Sequence, residues 1–306
     1  MKLKRFKTVE ELPFLHVNMF KEKDLYSIKK KNIYKILNSS GTTNKKLSKI
    51  FLDSINAKNQ IIALKKIVAS FLGEERLPML IFEKNPNLID KKKFGAKVAA
   101  ILGFSIFGKN YTYVINSKNE IDYKVLNNFL EKFADNKFFI FGFTSSIYEF
   151  LIKKIDNRKI FRLFENGILF HGGGWKKLEK NKINNEIFKS KLNYKLKLST
   201  VVNYYGVVEQ TGSIFIECEK CNCFHTNIFN DVIIRDENLN PIKQNNKRGM
   251  VQVLSILPSS YPGNSILLED EGFIVNQKNE KCDNTGKSFK IVGRIPKAEV
   301  RGCSDV

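Results

Sequence analysis

No apolar run in this sequence is long enough to cross a bilayer. The most apolar stretch, Phe138 to Leu151, is too short and carries Glu149. Met1 to Pro13 starts basic but holds no apolar core of the kind a secretory signal needs. Cysteine is sparse and odd in number, five in 306 residues, which excludes the disulfide framework of a small secreted domain. A soluble cytoplasmic protein with reduced thiols is the expectation. Acidic residues are also short: 31 Asp and Glu stand against 52 Lys and Arg, for a formal net charge of +21. The excess is mostly Lys spread along the whole chain, and no basic motif concentrates it. It is therefore read as solvated surface, with no specific nucleic-acid partner.

What is present suits a packed globular chain. Hydrophobic residues make up 42% of it and charged residues 27%, outside the disordered range. Strand-like and helix-like segments alternate over the first two-thirds. Strands are expected near Ile33–Leu37, Pro78–Phe82, Tyr111–Ile115, Phe138–Phe143, Gly167–Phe170 and Val201–Tyr205. Helices are expected near Ile55–Leu72, Phe94–Phe107, Tyr123–Phe133 and Ser145–Lys154. That alternation predicts an α/β sheet with crossover helices. From about Ser213 short β-type runs follow one another, separated by turns such as Pro262–Gly263–Asn264. The expected organisation is an α/β part over residues 1–212, a β-rich subdomain over 213–292 and a tail over 293–306.

Four runs carry candidate chemistry. Ser39–Ser40–Gly41–Thr42–Thr43, followed by Lys45 and Lys46, offers hydroxyls and backbone N–H groups to phosphate oxygens, or else is a polar turn. It lacks Walker A spacing. His171–Gly172–Gly173–Gly174–Trp175 removes three Cβ atoms, so a planar ring can lie on the backbone, or else is a flexible turn. Tyr205–Gly206–Val207–Val208–Glu209 pairs an aromatic face with a carboxylate suited to a divalent cation, or else is a core Tyr and a surface Glu. The tail brings Arg294, Arg301 and Cys303 close in sequence, a setting that favours a nucleophilic thiolate, or else ends in an ordinary terminal cysteine.

The order of these runs, with Asp270 between Glu209 and Arg294, resembles the adenylate-forming superfamily. Within it, Leu12–Pro13–Phe14, His171 to Lys177, Tyr205 to Gly212 and Arg301–Gly302–Cys303–Ser304–Asp305 resemble the acyl-protein synthetase family of the LuxE type. The resemblance implies the large domain of an adenylate-forming enzyme without the C-terminal lid and its lysine. It implies ATP and Mg²⁺ as cofactors and a carboxylic, in this family fatty, acid as substrate. Ser39 to Thr43 would bind the phosphates, Gly172 to Gly174 with Tyr205 and Gly206 would surround adenine, and Glu209 would hold Mg²⁺. Asp270 would bind ribose, Arg294 would contact ribose or phosphate, and Cys303 would accept the acyl group. An acyl reductase or an acyl carrier protein is the implied partner. Rival readings are a CoA or carrier-protein ligase without self-acylation, and a basic binding module. The chain departs from the family pattern in two places: Asn44 replaces a common Gly, and Pro296 and Lys297 stand where an Asp pair usually follows the Gly–Arg.

One run stands apart. Cys218, Cys221, Cys223 and His225 make a chemically complete set for structural Zn²⁺, or else are cysteines of a β-turn.

Overall fold

The computed structural model describes residues 6–39, 47–86, 96–175, 183–276, 282 and 284–295. Ser40, Gly41, Thr42, Thr43 and Cys303 lie outside the described residues.

Strands run at Leu15–His16 (β1), Lys35–Asn38 (β2), Lys49–Leu52 (β3), Leu77–Lys84 (β4), Gly108–Ile115 (β5), Phe138–Phe143 (β6) and Gly167–Gly172 (β7). They continue at Thr200–Tyr205 (β8), Phe215–Glu217 (β9), Phe224–His225 (β10), Asn230–Arg235 (β11), Gly249–Ser255 (β12), Ser265–Ile274 (β13) and Ser288–Arg294 (β14). Helices occupy Met19–Glu22 (α1), Ser54–Leu72 (α2), Ala96–Ser105 (α3), Tyr123–Phe133 (α4), Thr144–Ile147 (α5), Arg158–Phe161 (α6) and Asn185–Leu196 (α7). A π-type segment, Tyr148–Lys154, continues α5.

The long helices start on side-chain caps. Asp53 accepts from the Asn56 N–H at 2.7 Å to open α2, and Asp122 accepts from Val125 at 3.1 Å to open α4. Gly73, at φ +76°, ends α2 in a conformation that a side chain would strain.

Among the described residues, strands β5-β4-β6-β7-β8 form a parallel sheet, and the same sheet continues antiparallel through β9-β10-β14-β13-β12-β11. β1 adds in parallel to β13, and β2 with β3 forms a separate hairpin.

Alternation along β6 divides the core. Phe138 and Ile140 join the cluster under α4, the π segment and α7, while Phe139, Phe141 and Phe143 join the cluster under α2 and α3. Helices on both faces make these strands apolar throughout, as parallel strands require. A third cluster lies in the antiparallel part, where Val17, Phe20, Leu37, Ile50 and Leu52 from the first fifty-two residues pack on Val232, Val251, Ile266 and Phe289. α7, which no sequence expectation covered, closes one side of the site described next. Among the described residues no helix is long and apolar enough to cross a membrane.

Candidate active site

β6, β7 and β8 end side by side: Phe143 pairs with Gly172, and Gly172 with Tyr204. Carboxyl ends of parallel strands are where open α/β sheets hold ligands. A cleft of about 320 Å³ opens there, lined by Thr144, His171, Trp175 and Asn203 and walled on the far side by Lys290, Ile291 and Val292 of β14.

Glycine is required at this corner. A Cβ on Gly172 would stand 2.6 Å from the Tyr204 carbonyl and 2.7 Å from its ring, and Gly173 sits at φ +73°. Trp175 anchors the end of the run: it is buried, edge-on to Tyr148 at 4.8 Å and to Phe188 at 6.0 Å.

His171 is buried beneath the cleft, its Nδ1 3.0 Å from the Thr144 hydroxyl and its ring 4.6 Å from that of Phe188. Burial, with the Lys189 ammonium nearby, holds the imidazole down at about 3 against an ordinary 6.5. The unfolded chain therefore takes up a proton near pH 6.5 that the fold refuses until about pH 3. Stability from this residue is full above pH 6.5 and is lost as pH falls through that window. The expected slope is about 1.4 kcal/mol per pH unit. Urea unfolding between pH 7 and pH 5 checks it: His171→Asn should be missing that part of the wild-type slope, and parallel slopes would show that His171 protonates in the fold.

The charged site residues gather around Tyr205. Its hydroxyl donates to Asp270 Oδ2 at 2.5 Å, and Arg294 Nε lies 3.6 Å from Asp270 Oδ1. Sheet register sets this up, since Asp270 and Arg294 are direct partners on β13 and β14. Burial, then the Asp270 carboxylate, holds the Tyr205 phenol far above its ordinary range, and the phenol also feels Arg294 and Glu209. Glu209 lies in the short turn Val208–Gln210 after β8, 2% exposed, with its carbonyl accepting from the Tyr261 hydroxyl at 2.9 Å. Asn18 and Arg294 both reach Glu269, the neighbour of Asp270.

Three sequence expectations meet a different geometry. The Tyr205 ring does not form an open face for a base: it is 2% exposed and packs in the antiparallel core beside Phe215 and Phe224. A buried Asp270 needs a donor, and the phenol supplies it. Ser39 closes the β2–β3 hairpin, its hydroxyl accepting from the Ser48 N–H at 2.8 Å, while the rest of the phosphate-type run falls outside the described residues. Cys218, Cys221 and His225 come together, but Cys223 does not join them. Its thiol is buried and turned to the Cys221 carbonyl at 3.3 Å, and Cys282 takes the fourth place.

A second, smaller cleft of about 90 Å³ is almost wholly apolar and was not legible in the sequence. Leu64 of α2, Ala99, Ala100, Gly103 and Phe104 of α3, and Gly206, Val207 and Val208 after β8 line it. Its members, with Phe143 of β6 among them, come from four separated segments, so no local window marks it.

No curated protein matches the chain. Among solved structures it is similar to a 2-hydroxyisobutyryl-CoA ligase in the postadenylation state, at 13% identity and TM-score 0.64 over 94% of this chain and 60% of that one. It is also similar to ATP-bound MatB from Rhodopseudomonas palustris, at 12% identity and TM-score 0.55 over 86% of this chain and 48% of that one. A third is the amide bond synthetase McbA from Marinactinospora thermotolerans, at 13% identity and TM-score 0.55 over 87% and 49%. The chain thus spans roughly half to three-fifths of the length of these neighbours, and at such identities they show the shared fold. The family described as acyl-protein synthetase, LuxE, matches residues 5–306. The chain belongs to this family, acyl-protein synthetase, LuxE, and shares its fold with the solved ligases above.

Proposed function

We propose that this chain joins a carboxylic acid to AMP and then passes the acyl group to a thiol. In the first half-reaction a carboxylate oxygen attacks the α-phosphorus of ATP. A new C–O–P linkage forms, the bond from the α-phosphorus to the bridging oxygen breaks, and pyrophosphate leaves with that electron pair. In the second, the thiolate of Cys303 attacks the acyl carbonyl, AMP leaves, and a thioester remains. The thioester then supplies an acyl reductase or an acyl carrier protein.

The observation that carries this reading is the convergence of Glu209, Asp270 and Arg294 around Tyr205, beside a cleft at the carboxyl ends of β6 to β8. The cleft between β7, β8 and β14 takes the nucleoside. Asp270, fixed by Tyr205 and facing Arg294, is oriented for ribose hydroxyls. Glu209 offers a buried hard-oxygen donor, which fits Mg²⁺. When bound, that ion neutralises phosphate charge as pyrophosphate departs. The apolar cleft beside Gly206 takes the acid's hydrocarbon part, which places its carboxylate at the strand ends.

Acid-dependent ATP–pyrophosphate exchange over acids of graded chain length tests both assignments. Absence of exchange with every acid would leave a binding scaffold. A Cβ on Gly103 would meet only Leu64 Cδ2, at 3.8 Å, so this position has room to grow into the apolar cleft. Gly103→Phe should cut kcat/KM for the longest accepted acid by about 10- to 200-fold and leave the shortest nearly unchanged. A uniform loss across the series would place the hydrocarbon chain elsewhere.

A further inference from the structure

A second chemical centre lies outside this cleft, where the β9–β10 hairpin meets the segment leading into β14. The hairpin turn runs from Cys218 to Cys223, closed by the Cys218 N–H on the Cys223 carbonyl at 2.9 Å, with Asn222 in the left-handed region at φ +52°. This turn presents Cys218 and Cys221 on the same side as His225 of β10. Cys282 arrives from far along the chain.

The ligand atoms of Cys218, Cys221, His225 and Cys282 all lie within 4.8 Å of one another. Cys218 Sγ is 3.7 Å from Cys282 Sγ, and His225 Nε2 is 3.1 Å from Cys221 Sγ and 3.5 Å from Cys282 Sγ. A tetrahedral zinc with Zn–S near 2.3 Å and Zn–N near 2.0–2.1 Å would hold its sulfurs about 3.8 Å apart and sulfur from nitrogen about 3.6 Å. The three separations given lie at or somewhat below those values, and no pair of ligand atoms exceeds 4.8 Å. The distance between Cys218 and Cys282 is far beyond the roughly 2.05 Å of a disulfide.

The surroundings are built for a ligand at Nε2. The other ring nitrogen of His225, Nδ1, lies 3.3 Å from the Ser288 hydroxyl, which fixes the imidazole with Nε2 turned to the thiols. Ser288 is the partner of His225 in the β10–β14 ladder, so strand register sets this contact. Close approach of the segment carrying Cys282 is also provided for. A Cβ on Gly286 would stand 2.1 Å from the Thr226 carbonyl, while Lys287 N–H donates to Thr226 Oγ1 at 2.9 Å.

We propose that Cys218, Cys221, His225 and Cys282 bind one Zn²⁺, a closed structural site that ties the β9–β10 hairpin to the start of β14. Three thiolates and an imidazole select a soft or borderline metal over Mg²⁺ or Ca²⁺, and four protein ligands leave no open position for a reacting water. The site's place in the fold gives it a purpose. β14 begins at this clamp and ends at Arg294, against Asp270. The metal fixes one end of the strand whose other end completes the nucleotide site. This holds whether or not the chain forms an acyl-adenylate.

The test is metal content of the full chain, purified without chelator and reconstituted with zinc under anaerobic conditions. About one zinc per chain is expected in wild type and in Cys223→Ser, with most of it lost in Cys282→Ser. Cobalt(II) on wild type, which needs no variant to fold, should give intense tetrahedral d–d bands and a thiolate charge-transfer band. Zinc absent from wild type after reconstitution would overturn the site, as would a pale octahedral cobalt spectrum. Zinc retained in a folded Cys282→Ser but lost in Cys223→Ser would overturn the ligand set. A Cys218–Cys282 disulfide found by mass in anaerobically prepared wild type would replace the metal with a redox pair and also overturn the proposal.

Discussion

Glu209→Gln should lower acid-dependent pyrophosphate exchange by about 10²- to 10³-fold, the loss typical of removing one charged group that acts on a developing transition-state charge. The substitution keeps size and shape and removes the charge. Glu209 sits in a turn whose backbone is held independently, by the Tyr261 hydroxyl on its carbonyl and by the neighbouring Gln210 amide on the Val253 and Gly263 carbonyls. These contacts hold the turn by groups other than the carboxylate. An unfolding midpoint within a few degrees of wild type, together with the lost exchange, assigns the effect to the reaction. Raising Mg²⁺ should recover part of the rate, because a weakened ion site is refilled by mass action. Wild-type exchange in Glu209→Gln would remove this residue from the phosphate chemistry.

Cys303→Ser should keep pyrophosphate exchange and abolish the hydroxylamine-sensitive acyl label on the protein. In the proposed reaction the two half-reactions use different groups: adenylation would need the cleft, and transfer a nucleophilic thiol. In sequence, Arg301 and Arg294 give Cys303 a cationic setting that favours the thiolate. The described thiols have other surroundings: Cys218, Cys221 and Cys282 face one another and His225, and Cys223 is buried. Labelled acid with ATP, followed by mass mapping, reads the outcome. A label that survives in Cys303→Ser moves the acceptor to another residue. A label found on CoA and never on the protein makes the chain a CoA ligase.

The parallel strands were legible because burial on both faces leaves only apolar β-formers. Phe138 to Phe143 and Gly167 to Phe170 read directly, and so did α2 between Asp53 and Gly73. α7 was not, because its apolar residues are few and its mean character polar; only Phe188, Leu192 and Leu196 are buried. Within the β-rich region β13 runs from Ser265 to Ile274, through Glu269, Asp270 and Glu271, an acidic run that in sequence looks like a loop. Those carboxylates sit in a strand because Arg294, Arg248 and Tyr205 meet them from neighbouring segments, which no local window shows. The same limit hid Cys282. Local spacing put Cys223 beside His225, whereas the remaining ligand, Cys282, lies 57 residues beyond His225 and reaches it through strand pairing. The order of the glycine, tyrosine and carboxylate runs carried the family, since the chemistry sits at strand ends that follow chain order.

The passage from parallel to antiparallel strands has a mechanical meaning. β8 and β9 are bonded through Tyr204 with Ile216 and Tyr205 with Phe215, so strand sense changes there without a break in the ladder. Gly212, at φ +84° and packed so that a Cβ would meet the Gln60 backbone at 2.6 Å, folds the connection tightly against α2. Lobes joined by a linker open by swinging apart; strands joined by a ladder must first break it. Breaking it would bare the edge of β8, with Val201, Val202 and Tyr204 beside it, to any other unpaired strand in solution. The two parts of this sheet should therefore melt together, in a single thermal transition.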